Sequence, residues 1–181
     1  MTCETRTIRL KNGTDAMIVP PDPERAEEML DFVRDISSET EFITRTAGEV
    51  YETVEVEKEK LAGILASENQ VMLVCMVDGR IAGNCSLGFQ RKIKMRHRAS
   101  VGIAIRQAYW NLGIGTALFE EMIRICRERG VRQMELEVID GNARGLALYT
   151  KMGFTVTGRR PDAFLMSDGT YRDELFMTKM L

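Results

Sequence analysis

Apolar residues along this 181-residue chain recur with two different periods. The positions Ala26, Met29, Leu30, Val33 and Ile36 fall three or four apart and predict one buried helical stripe. Asp22 suits the N-cap of that helix and Pro23 its first position. A second helix is predicted from about Thr53 to Ser67, mostly charged, with Leu61, Ile64 and Leu65 facing inward. A third carries Ile114, Leu118, Met122 and Ile125 on one face and stops at Gly130. A fourth, short one runs from about Ala143 to Met152. Elsewhere the period is two. Met134, Leu136 and Val138 alternate with Gln133, Glu135 and Glu137, the pattern of a half-buried strand. Strands are also predicted at Thr7–Leu10, continued by Ala16–Val19, and on both sides of Asp78-Gly79, a hairpin dipeptide. Further strands are ASVGIAI, ending at Ile105, and the closing stretches GFTVTGR and TYRDELFMTKM. The order β-α-α-β-β-β-α-β-α-β-β predicts a mixed α/β domain with a central sheet, one domain over residues 1–181.

Composition narrows the chemistry. A net charge of -2 gives no sign of a nucleic-acid or membrane partner. Cys3, Cys75, Cys85 and Cys126 lack CxxC spacing and His97 is the sole histidine, so no metal site is expected. The thiols read as reduced. No basic-plus-apolar leader opens the sequence and no apolar run approaches the ~18 residues of a membrane span. A cytoplasmic address is expected. Arg91, Lys92, Lys94, Arg96 and Arg98 crowd one connection, which reads as a solvated hairpin tip.

The third helix opens unusually. In "YWNLGIGTALFEEMIRICRERG", Gly113 and Gly115 stand where the helix nucleates, although glycine costs about 1 kcal/mol relative to alanine inside a helix. A helix start has backbone N–H groups without partners and a partial positive charge. Glycine lets an anion reach them, so Gly113 and Gly115, followed by Thr116, suit a phosphate or pyrophosphate. No Lys follows the second glycine, which excludes a P-loop, and Leu118 occupies the third glycine position of a dinucleotide fingerprint. Close helix–strand packing is the plainer explanation of the same glycines.

A second segment, "NARGLALYTKMGF", begins at Asn142, 27 residues after Gly115. On a helix, Asn142 and Tyr149 share a face, with Gly145 between them. A phenol of pKa near 10 can protonate a thiolate leaving group. Together, "WNLGIG" and "NARGLALYTKMGF" resemble the paired signature of the GNAT superfamily of acyl-CoA-dependent N-acyltransferases, Q/R-x-x-G-x-G/A followed by N…A…LYxxxGF. The element order fits too, so the resemblance spans nearly the whole chain. It implies a largely antiparallel sheet of about seven strands flanked by about four helices. It also implies that acetyl-CoA, as co-substrate, gives its acetyl group to a primary amine by direct attack in a ternary complex. The backbone of Ile103 and Ile105 would pair with the pantetheine arm. The N–H groups of Leu112, Gly113, Ile114, Gly115 and Thr116 would hold the pyrophosphate. Asn142 would bond the CoA arm and Tyr149 would protonate the departing thiolate. The acceptor would be a small-molecule or protein amine, shaped by the loop bearing Glu39, Glu41 and Glu49. The closing strands of such domains often mediate homodimers.

The sequence departs from the signature in places. Trp110 replaces the usual Gln or Arg, leaving Asn111 or Arg106 as substitute phosphate donors, and Gly145 replaces an alanine. Some relatives carry a glutamate on the strand before the glycines, where this chain has Ser100 and no acid. The base that takes the amine proton is therefore open. His97 and Glu137 are candidates, Asp140 and Glu41 are alternatives, and ordered water needs no single base. A reading from another class is a sensor or interaction module that binds acyl-CoA without turnover.

Overall fold

A computed structural model describes residues 5–181. Cys3 lies outside the described residues. Strands β1 (Arg6–Arg9), β2 (Asp15–Val19), β3 (Gln70–Val77), β4 (Arg80–Phe89), β5 (Arg98–Ile105), β6 (Gln133–Ile139), β7 (Thr155–Leu165) and β8 (Tyr171–Met180) form one sheet in the order β1-β2-β3-β4-β5-β6-β8-β7. Among the described residues the sheet has eight strands rather than about seven. The first apolar run is broken by a turn in which Leu10 N–H bonds the Thr14 carbonyl and Gly13 takes a φ of +85°. That turn folds β2 back antiparallel onto β1, so the two halves are separate strands.

The helices are α1 (Ala26–Glu39), α2 (Val54–Ala66), α3 (Ile114–Glu128) and α4 (Ala143–Lys151). Asp22 caps the entry to α1 by accepting from Glu24 N–H, one short helical turn upstream, with Pro23 in that turn. The buried stripe of α1 holds Phe32, which is fully buried, while Val33 is only partly so. Thr53 caps α2 by accepting from Val56 N–H. Leu61 of α2 is buried as expected, but Leu65 is 42% exposed. Only the narrow line Glu57, Leu61, Ile64, spaced by four and three, turns toward α1 and the sheet, and Leu65 stands about 100° off it.

The sheet separates two cores. Met29, Phe32, Leu61 and Ile81 belong to the one under α1 and α2. Leu118, Phe119, Met122, Met134 and Phe154 belong to the one under α3 and α4. The β3–β4 hairpin turns at Asp78 (φ 48°) and Gly79 (φ 77°), the positive pair a two-residue hairpin needs. Among the described residues no helix is long and apolar enough to cross a membrane.

One junction sets up the site. Every neighbouring pair of strands is antiparallel except β5 and β6, which are parallel because the chain crosses through α3 between them. Their pairing covers only Arg98↔Gln133, Ala99↔Met134 and Ser100↔Glu135. Beyond Ser100 the strands part, and the C-terminal half of β5 keeps its ladder to β4 alone.

Candidate active site

The split between β5 and β6 leaves a strand edge unpaired inside the sheet. Arg106 N–H bonds the Ala82 carbonyl near the start of β4. By the alternation of an antiparallel ladder, the peptide groups of Ile105 and Ile103 then face away from β4, toward the split. The indole N–H of Trp110 confirms this direction, because it donates to the Ile105 carbonyl at 2.7 Å. The edge thus offers both peptide groups of Ile103 and the N–H of Ile105.

The chain leaves β5 through a short helical turn, Gln107–Tyr109, and enters α3 through two left-handed residues, Asn111 (φ 63°) and Gly113 (φ 100°). Gly113 is the N-cap, and among the described residues no side chain caps the helix. The N–H groups of Ile114, Gly115 and Thr116 have no intrahelical acceptor by the geometry of a first turn. The two glycines have different reasons. Gly113 supplies a conformation that L side chains rarely adopt. Gly115 is buried, and a Cβ there would lie 2.8 Å from Leu148 Cδ2 and 3.3 Å from Ile105 Cδ1. The Thr116 hydroxyl accepts from Lys151 Nζ at 3.0 Å.

Asn142 is the N-cap of α4 and not a residue of its helical face: its Oδ1 accepts from Gly145 N–H at 2.9 Å. Gly145 lets this cap sit close, since a Cβ would stand 2.8 Å from Asn142 Nδ2 and the side chain would have to shift. Tyr149 lies two turns on, buried, in edge-on contact with Phe119 and Phe154 at 5.7 and 6.4 Å between centroids. Burial pushes its pKa up to about 12, with the neighbouring Cys85 adding to the rise. Among the described residues its hydroxyl has no hydrogen-bond partner.

Ile103, Ile105, Trp110, Asn142, Arg144 and Tyr149 line a cavity of about 390 Å³. The uncapped start of α3 adjoins it through Trp110, three residues before Gly113. A second cavity, about 350 Å³, shares Thr40 and Ile43 with the first. Its walls include Glu39 and Glu41 on one side and Ile139, Phe164 and Ser167 on the other. Glu41 accepts from the Ser167 hydroxyl, and the Glu39 carboxylate accepts from Gln107 N–H at 2.6 Å. Both cavities are the size of small-molecule sites.

The base candidates are scattered. His97 is exposed and eight residues before Ile105, about 26 Å away at ~3.3 Å per residue along β5, because the cavity forms at the opposite end of that strand. Glu137 is exposed opposite Phe176 on β8 and lines neither cavity. Asp140 is paired with Arg159 at 3.1 Å. Of the four, Glu41 is the one that lines either of these two cavities. Sequence reasoning missed the wall formed by Phe164 and Ser167, which lie more than 120 residues from Glu41 with no local pattern linking them. It also missed the stacking of Arg144 on Trp110, whose guanidinium carbon is 3.5 Å from the ring centroid. The odd residue at 110 was the visible signal.

Residues 30–154 match the profile of the acetyltransferase (GNAT) family. The L-amino acid N-acetyltransferase AaaT of Escherichia coli K12 is 30% identical over 109 residues, 60% of this chain and 67% of that protein. The ribosomal protein bS18-alanine N-acetyltransferase of the same organism is 37% identical over 67 residues, 37% of this chain and 45% of that one. The crystal structure of a GNAT-family acetyltransferase from Streptococcus pneumoniae superposes with a TM-score of 0.85 at 29% identity, covering 92% of this chain and 99% of the other.

Proposed function

The chain belongs to the acetyltransferase (GNAT) family, and from that premise we propose that it moves the acetyl group of acetyl-CoA to a primary amine by direct attack in a ternary complex. Acetyl-CoA is the family's co-substrate. It supplies a thioester whose carbonyl carbon an amine can attack. The observation that carries the reading is the open edge of β5, running into a cavity that holds an unpartnered tyrosine hydroxyl.

The residues fit the donor along its length. Ile103 and Ile105 offer peptide groups to an amide-bearing arm, as an added strand pairs with an edge. The N–H groups from Leu112 through Gly113, Ile114 and Gly115 to Thr116 face a pyrophosphate at the uncapped start of α3. Asn142 keeps its Nδ2 for the arm while Oδ1 caps α4. Tyr149, with its pKa near 12, stays protonated at neutral pH and hands its proton to the thiolate sulfur. Glu41 is the base we assign to the amine proton, through water or directly, and His97 and Glu137 stand away from both cavities.

The acceptor enters the second cavity. Its apolar wall, Ile139, Phe164 and Leu165, facing Glu39 and Glu41, suits an amine that carries an apolar group. The two curated relatives act, by name, on an amino acid and on a protein's alanine. We extend their shared chemistry, an α-amine, to this chain. A cytoplasmic address accords with the free, buried thiols of Cys75, Cys85 and Cys126. A homodimer is the expected assembly, with β7 as one exposed edge of the sheet.

The test is an amine panel assayed for acetyl-CoA consumption with the native protein and Tyr149→Phe. The native protein should acetylate amino acids or peptide N-termini, and the variant should lose about 10²- to 10⁴-fold in kcat with KM for acetyl-CoA unchanged. An unaffected Tyr149→Phe enzyme removes the phenol from the mechanism. A protein that binds acetyl-CoA yet acetylates no amine is a sensor.

A further inference from the structure

We propose that Arg144, held over the indole of Trp110, is the side-chain cation that binds the phosphates of the acyl donor in this chain. The inference rests on the assignment of acetyl-CoA as that donor. Trp110 occupies the place where the signature has Gln or Arg, so the expected side-chain donor is missing there. The structure fills the gap from another element. Trp110 is fixed by its bond to the Ile105 carbonyl, and its ring becomes a platform beside the start of α3. Arg144, in the first turn of α4, lays its guanidinium on that platform, 3.5 Å from the ring centroid, at the rim of the cavity.

Three features suit this arginine to the role. Among the described residues it has no carboxylate partner, whereas Arg106 is paired with Asp35 and Arg159 with Asp140 and Asp173. A cation in the first turn of a helix also meets the positive end of the helix dipole, a cost that an anion arriving between them offsets. The stacking further restricts a flexible side chain, leaving the planar fork of N–H donors oriented before the ligand binds. A phosphate accepts such a fork through two parallel hydrogen bonds. Arg144 lines the first cavity beside Trp110, on the side where the chain enters α3, which is where the donor assignment puts the phosphates.

The test is calorimetric binding of acetyl-CoA and of acetyl-pantetheine, which has no phosphates, to the native protein, Arg144→Ala and Arg144→Lys. Arg144→Ala should weaken acetyl-CoA about 10- to 100-fold, as expected for a lost hydrogen bond between charged groups. Its affinity for acetyl-pantetheine and its melting temperature should not change. Arg144→Lys should recover part of the loss, since it keeps the charge without the fork. Raising the salt should weaken acetyl-CoA binding more steeply for the native protein than for Arg144→Ala. Unchanged acetyl-CoA affinity in Arg144→Ala overturns the proposal while leaving the donor assignment intact. An equal loss for both ligands also overturns it, because it makes Arg144 a scaffold of the cavity. A native protein that binds neither ligand defeats the donor assignment, and this proposal with it.

Discussion

A Cβ on Gly113 would meet no atom within 4 Å, whereas one on Gly115 would lie 2.8 Å from Leu148 Cδ2. The two positions therefore fail in different ways. Gly113→Ala forces a side chain into the left-handed region, at about 1–2 kcal/mol. For a chain of this length that is about 2–8 °C of melting temperature. Gly115→Ala meets the tip of a leucine that also lines the donor cavity. Leu148 can swing away from the helix, and the free direction is into that cavity. We therefore expect a smaller melting shift and a larger rise in the Kd for acetyl-CoA, about tenfold for ~1.4 kcal/mol of blocked contact. Thermal melts beside acetyl-CoA titrations separate the two, and a Gly115→Ala protein with native affinity rejects the steric account. The sequence displayed both glycines and their cost. It could not display their division of labour, because Leu148 comes from a helix 33 residues downstream of Gly115.

The capping of α4 shows how one residue serves an element and a ligand together. Asn142 spends its oxygen on Gly145 N–H, which leaves its amide nitrogen for the donor. Asn142→Ala should cost about 0.5–2 kcal/mol through the lost cap and should weaken acetyl-CoA as well. Asn142→Asp keeps a cap acceptor, so stability should return to near native. It replaces the donor nitrogen with a second acceptor and a negative charge, so the acetyl-CoA affinity should stay low. Denaturant melts and binding titrations on both variants give the comparison, and an Asn142→Asp protein with native affinity refutes the ligand role. The elements themselves were largely readable. The alternation through Met134, Leu136 and Val138 and the stripe through Ile114, Leu118 and Met122 appear as a strand and a helix with those residues buried. The place where β5 parts from β6 was not readable, because strand pairing depends on what the partner strand does and not on the local pattern of either.

At the scale of the molecule, the two cavities meet at Thr40 and Ile43, where the α1 side of the sheet and the α4 side open on the same split. The second cavity joins residues near 40 to residues near 165, and no periodicity couples positions so far apart. The acceptor wall was accordingly the least legible part of the site, while the donor wall lay in two contiguous motifs. The same packing has a consequence for stability in alkali. Tyr149, Cys75, Cys85 and Cys126 are all buried in the core under α3 and α4. Burial raises all four above their usual values, with Tyr149, Cys75 and Cys126 each reaching about 12. Above about pH 9 the unfolded chain loses protons from these groups while the folded chain keeps them. The folded state then holds more protons, so the free energy of unfolding must fall as pH rises, until the folded groups themselves ionise near pH 12. The tyrosine alone, moved from 10 to about 12, contributes on the order of 2–3 kcal/mol to that decline. Denaturant melts from pH 8 to pH 11 should show stability constant to about pH 9 and declining beyond it. In Tyr149→Phe the portion of the decline above pH 10 should shrink. A native protein equally stable at pH 8 and pH 11 would mean that the phenol and the thiols reach water far more readily than their packing allows.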